Sequence, residues 1–218
     1  MTTVARTGRP TRAGAAELEQ RLRSAAVETF LANGYDGTTM EAVASGAGIS
    51  KRTLYARYPD KRSLFAKVLP WAMSTLRWDE VALDDVGDDL EAALVAIGHN
   101  AWARVVDPRI VQLGRIAMAE AHRFPEFAEG ARTLTWAPRL RSVLDVLEHH
   151  AGRGDVVIDD LELTAEQFLA MVSAVPGLMA LYGIRRDPED EERRLRHAVR
   201  LFVAGIARRE PQRGPKEA

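Results

Sequence analysis

The sequence predicts an all-α protein of about nine helices, and three observations lead there. Apolar residues recur at intervals of three and four along most of the chain. Alternating β-branched runs are almost absent; VVIDDLEL at 156–163 is short and reads as an extended loop before a helix. Gly, Pro, Ser, Thr and Asp fall where helices need caps and stops. With 218 residues, 46% of them apolar and 28% charged, the chain can bury the core of one domain or two small ones.

Residues 1–14 are basic and rich in Gly, Pro and Thr, the composition of a mobile arm. A first helix is expected from about Ala15 to Ala32, with Leu18, Leu22, Ala25, Ala26, Thr29 and Phe30 on one face and Gly34 closing it. Thr38 stands three residues before Glu41, the spacing of a capping box, and opens a short helix over Thr39 to Ser45 that buries Met40, Val43 and Ala44. Gly46 and Gly48 bracket a tight turn, Ser50 caps a third helix over Lys51 to Arg57, and Tyr58, Pro59 and Asp60 stop it before a fourth begins near Lys61. Further helices are expected at about 87–106, 108–122, 125–150, 164–183 and 188–208. Pro108 and Pro188 suit first-turn positions, whereas Pro70, Pro138 and Pro176 fall inside helical patterns and should kink or break them.

Composition excludes several chemistries. The absence of cysteine removes disulfide scaffolds, iron–sulfur clusters, Cys-ligated zinc and cysteine nucleophiles. Of the five histidines, His149 and His150 sit beside Glu148 and after Asp145, where a helix C-terminus explains them better than a metal does, and His99, His122 and His197 are isolated in sequence. SGAGIS looks like a phosphate loop but follows a helix and lacks the third glycine. An enzyme, a cofactor and a metal site are therefore not expected. The opening MTTVARTGRP has no apolar core of a secretory signal. The uncharged stretch from Gln167 to Ile184 is interrupted by Ser173, Pro176, Gly177 and Gly183, which fits a buried interface helix better than a membrane span. A cytoplasmic location is the resulting expectation.

The formal charge of −1 conceals an asymmetry. Through Lys67 there are 11 Lys and Arg against 6 Asp and Glu; beyond it, 19 against 25. A basic front on an acidic rear suggests a nucleic-acid module joined to a regulatory body. The two short helices joined by a Gly-containing turn have the layout of a helix-turn-helix. In a helix from Ser50, positions 51, 52, 55 and 58 crowd one side, so Lys51, Arg52 and Tyr55 face a groove while Leu54 points to the core. Arg52 has the fork that reads guanine O6 and N7, and Lys51, Thr53, Tyr55 and Lys61 suit phosphate oxygens. A three-helix packing unit with a solvated basic face would show the same spacing.

The segment NGYDGTTMEAVASGAGISKRTLYARYPDKRSLF, Asn33 to Phe65, closely resembles the DNA-binding domain of the TetR family of bacterial transcriptional regulators, without a gap through GYDGTT, VASGAGIS and LYARYPDK. The resemblance implies a DNA-binding domain at 15–67 in which Thr38 caps the second helix and Thr39 contacts a phosphate at its start. It further implies that Ser50, Lys51 and Thr53 touch backbone or bases, that Tyr55 grips a phosphate, and that Lys61 opens the fourth helix. Arg52 stands where the family most often has glycine or a small residue, and Arg57 where histidine or tyrosine is frequent; both add cationic reach, and extra guanine contact is the simplest consequence. EAHRFPEFAEG at 120–130 and GRGDVVIDDLELTAEQFL at 152–169 resemble the AefR-like C-terminal type, which implies an all-helical effector-binding and dimerisation domain at 68–218.

In that rear part Phe168, Val172, Val175, Met179 and Tyr182 recur at steps of four and three, as do Leu195, Val199, Phe202 and Ile206. Such stripes suit a four-helix bundle shared by two protomers, and an intramolecular core accounts for them equally well. The two-fold that a palindrome-reading helix-turn-helix requires favours the dimer. Trp71, Met73, Trp78, Trp102, Met118, His122 and Trp136 lie on helices that, in the proteins this one resembles, surround an effector cavity; ordinary core packing is the alternative. The expectation is a homodimeric, ligand-responsive regulator, a repressor rather than an activator. It would bind double-stranded DNA at an inverted repeat and be released by a small apolar or aromatic effector. The alternative is an effector-independent DNA-binding or adaptor protein of the same fold.

Overall fold

Helices account for all the extended regular structure of the residues described by this computed structural model, 12–75, 88–125, 132 and 136–207. Nine are found among them: α1 (Arg12–Gly37), α2 (Met40–Gly46), α3 (Lys51–Tyr55), α4 (Lys61–Thr75), α5 (Leu90–Val105), α6 (Pro108–Glu120), α7 (Ala137–Arg153), α8 (Leu161–Leu181) and α9 (Pro188–Ile206). Residues 12–14 of the expected arm are already helical, and the rest of the arm lies outside the described residues. Aspartate side chains cap several N-termini: Asp89 accepts from Ala92 N at 3.0 Å and Asp160 from Leu163 N at 2.9 Å. Residues 156–160 of the 156–163 segment form a loop as expected, and residues 161–163 already belong to α8. The loop's one β-like feature is an antiparallel bridge from Val156 to Ala207, with Val157 N donating to Ile206 O at 2.9 Å.

Contacts divide the chain into two compact units, residues 1–73 with 116–130, and residues 74–115 with 131–218. Two features depart from a simple division at Lys67. Helix α4 runs unbroken to Thr75, and the segment from Ile116 groups with the first unit.

In the first unit, α1 presents Leu22, Ala26, Val27 and Phe30 to the core, and Gly34 at φ 68° then leaves the helical path. Leu54, Leu64 and Phe65 are fully buried. Phe124 joins them at 1% exposure, its ring 4.8 Å from Tyr35 and 5.3 Å from Phe65. Arg123 adds an ion pair to Asp36 at 3.2 Å, and Arg62 lies 4.8 Å over the Phe124 ring.

The second unit is built on α5, α7, α8 and α9 around Ile97, Val143, Leu147, Phe168, Val172, Leu195 and Val199, each no more than 1% exposed. This corrects the reading of the two apolar stripes. Phe168, Val172, Leu195, Val199 and Phe202 are intramolecular core, because α8 and α9 pack on α5 through those positions; Ile206 packs at the edge of the same cluster. Val175 and Tyr182, at 45% and 74% exposure, point elsewhere, as do Leu178 and Leu201.

The prolines behave unequally. Pro70 is accommodated inside α4, and Pro138 is the second residue of α7, directly behind a π-helical Trp136. Pro176 does disturb α8, which widens to a π turn over Ala170–Ala174. An α-helix would send the N–H of residue 176 to Val172 O, and proline has none. Arg194 of α9 fills that vacancy, donating to Val172 O at 2.7 Å and Met171 O at 3.0 Å, and its guanidinium also pairs with Glu191, which is 3% exposed.

Candidate nucleic-acid interface and effector residues

The helix-turn-helix is closed by backbone geometry. Ala47 follows α2, Gly48 takes φ 64°, and Ile49 N returns to Ala44 O at 3.0 Å, so α3 starts at a fixed angle. Ser50 caps α3: its hydroxyl accepts from Thr53 N at 3.1 Å and lies 2.8 Å from the Thr53 hydroxyl. Lys51, Arg52 and Tyr55 are exposed and Leu54 is fully buried, so α3 shows one polar, cationic and aromatic face to solvent. Such a face has the chemistry that suits phosphate oxygens and base edges.

Several assignments around that face change. Thr39, not Thr38, caps α2, accepting from Ala42 N at 3.1 Å. Thr38 is 1% exposed and donates its hydroxyl inward to Gly34 O at 2.7 Å and Thr29 O at 3.2 Å, so it anchors the end of α1 and holds Thr39 at the surface. Lys51 pairs with Glu41 at 2.7 Å, and that contact holds the Glu41 carboxyl below its usual range. Arg57 turns toward Glu19 of α1 at 3.5 Å, and Tyr58, which helical spacing put beside Lys51 and Tyr55, is buried with its hydroxyl donating to the same carboxylate. Lys61 gives its ammonium to Tyr35 O at 2.9 Å and Asp36 O at 3.2 Å, sealing the end of α1. Thr38, Arg57 and Lys61 thus organise the three-helix unit, and Thr39, Ser50, Lys51, Arg52, Thr53 and Tyr55 remain at or near its surface.

The expected effector residues are distributed over both units. Trp71, Met73, Met118 and His122 belong to the first unit, Trp102 and Trp136 to the second, and Trp78 lies outside the described residues. Trp71 is half-buried under Arg23, whose guanidinium lies 5.5 Å from the ring, while Met118 and His122 are exposed. Trp136 packs on the core of the second unit beneath Arg139 at 5.3 Å. Burial, with the charge of Arg104 adding to it, pushes Arg139 down to about 10. Among the described residues of this set, Trp102 alone lines a cleft of about 290 Å³ in the second unit, with partners from α8 and the α8–α9 connection that tryptophan spacing did not point to.

Residues 22–68 match the bacterial regulatory proteins of the tetR family, and residues 92–205 match the AefR-like transcriptional repressor C-terminal domain. The chain belongs to the TetR family. TetR-family members are DNA-binding transcription factors and not enzymes. An uncharacterized HTH-type transcriptional regulator of Mycobacterium bovis is 38% identical over 77 residues, 35% of this chain and 39% of that relative, so the match spans about two fifths of the relative's length. The regulator SrpR of Pseudomonas putida is 24% identical over 94% of this chain and 92% of its own. Among solved structures, the Flavonoid-responsive Regulator FrrA superposes with a TM-score of 0.74 at 25% identity, covering 89% of this chain and 100% of its own. A TetR-family regulator of Mesorhizobium loti does so at 0.72 and 26%, covering 90% and 99%.

Proposed function

We propose that this TetR-family chain is a ligand-responsive repressor that binds an inverted-repeat operator as a homodimer and leaves it when a small apolar or aromatic molecule binds. The observation that carries the DNA-binding part is the exposed face of α3, where Lys51, Arg52 and Tyr55 stand together beside the capped Ser50–Thr53 start and Thr39 at the start of α2. Arg52 is the base reader of the set, because its planar fork matches guanine O6 and N7, while Thr39, Lys51 and Tyr55 grip phosphates. Dimerisation is supported by Val175, Leu178 and Tyr182, which share one face of α8 at i, i+3 and i+7, and by Leu201 on α9, all 45% or more exposed. Effector response is supported by the name of FrrA, a flavonoid-responsive relative, and by the cleft beside Trp102.

The test is fluorescence anisotropy with the DNA upstream of the protein's own gene, searched for an inverted repeat. Two protomers should bind one repeat in a salt-dependent manner, with half-sites about 34–36 Å apart or a multiple of that spacing. Equal affinity for the repeat and for scrambled DNA of the same length would overturn the repressor reading.

A further inference from the structure

We infer that the cleft between the end of α5, the end of α8 and the start of α9 binds a flat, largely apolar organic anion. Its walls are Trp102 and Val106 from α5 and its C-terminus, Pro176 and Met179 from α8, and Ile184 from the connection to α9. Ile184 is 54% exposed, so apolar surface stands at the mouth with nothing among the described residues covering it. The charge on the rim is unbalanced. Glu191, the acidic residue lining the cleft, is 3% exposed and already held by Arg186 at 3.2 Å and by Arg194. Arg185 spends one amino group on Val106 O at 2.9 Å, and its guanidinium has further N–H groups to offer. An apolar slot edged by an excess of guanidinium selects an aromatic body with a carboxylate, sulfonate or phosphate at its end.

Size decides between kinds of occupant. About 290 Å³ lies at the lower end of the roughly 300–1,000 Å³ of small-molecule sites, room for two or three aromatic rings. A helix about 10–12 Å across with its side chains does not enter such a space, which argues against a second copy of the chain as the occupant.

The position of the cleft gives its occupancy a route outward. The end of α8 that walls it also holds α6: Arg115 Nε donates to Leu181 O at 2.8 Å, and Gly114 lies so near Leu181 that a Cβ there would stand 3.2 Å from its Cδ2. Helix α6 continues into residues 116–120, which belong to the first unit. A molecule wedged between α5 and α8 therefore acts on the helix that leads to the DNA-binding unit. This regulatory consequence rests on the function proposed above; the binding itself does not.

The probes are 8-anilinonaphthalene-1-sulfonate and its uncharged counterpart N-phenyl-1-naphthylamine, titrated into the full-length protein and followed by their own emission. The sulfonate should saturate at one molecule per chain. In a Trp71→Phe, Trp78→Phe, Trp136→Phe variant, Trp102 should transfer energy to it. Met179→Trp, which fills the slot, should weaken both probes about tenfold or more, and Arg185→Gln should weaken the sulfonate about tenfold while sparing the amine. Non-saturable binding, or affinities unchanged in both Met179→Trp and Arg185→Gln, would overturn the inference. So would a shift from dimer to monomer mass in Met179→Trp, because the cleft would then be an interface between copies. Operator binding is measured separately: a chain that binds its inverted repeat but fails these titrations loses the cleft alone. A chain that ignores DNA but passes them loses the regulatory reading and keeps the site.

Discussion

Arg52 and Thr38 mark the two ends of what single residues in this interface do. Arg52 is exposed on α3 with a geometry suited to one base pair. Arg52→Ala is expected to relax preference at one position per half-site at a cost of about 1–3 kcal/mol, measured by anisotropy against a set of single-base operator variants. A uniform loss across all variants would instead assign Arg52 to the phosphate backbone. Lys51 carries a further consequence of the Glu41 pair: in the phosphate contact proposed for it, the ammonium would have to leave a carboxylate 2.7 Å away, which would offset part of that contact's gain. The exposed residues Lys51, Arg52 and Tyr55 were legible from helical spacing. The passing of the cap from Thr38 to Thr39 was not, because a one-residue shift of the α2 cap depends on where Gly34 releases α1, and Thr38 then finds two carbonyls of that helix.

At the scale of elements, caps and breaks decide lengths. Asp60 caps α4, one carboxylate oxygen accepting from both the backbone N and the hydroxyl of Ser63 at 2.6 Å, which holds its carboxyl below the ordinary range. A depressed folded pKa means stabilisation that is present above the unfolded value and lost as pH falls through the folded one. Asp60→Ala should thus cost about 1 kcal/mol at pH 7. In thermal melts the gap from the parent should narrow once the pH falls below about 3.9. A gap that stays constant down to pH 2 would remove the cap from the account. The α8 break behaves differently, since its repair comes from another helix. Arg194→Met leaves the Val172 and Met171 carbonyls without their donor and strips a partner from buried Glu191, and it should destabilise the protein by about 3 kcal/mol in urea unfolding. Pro176 announced a disturbance in the sequence; nothing there announced that an arginine 18 positions later would answer it.

Over the whole molecule, the separation of core from surface on α8 and α9 governs how assembly is tested. Leu178→Glu and Leu201→Glu alter side chains that are 45% and 56% exposed, so both variants should keep their helicity by circular dichroism while light scattering reports a loss of dimer mass and operator affinity. Phe202→Glu, at 7% exposure, should unfold the second unit instead. If both surface variants retain the parent's mass, the contact between protomers lies on another face.

The sequence by itself determined the helical class, the positions of most helices and the residues on the outer face of α3, because helical period, cap chemistry and a short Gly-closed turn are local properties carried within a few residues. Only the tertiary structure decided which side of α8 and α9 is core, since a stripe at steps of four and three marks a buried face without naming what buries it; here α5 does. It likewise placed Phe124 beside Tyr35 and Phe65, 89 and 59 positions earlier, and split the tryptophans between two units. Those pairings are long-range contacts, and a one-dimensional pattern holds no record of which distant surface a buried ring will meet.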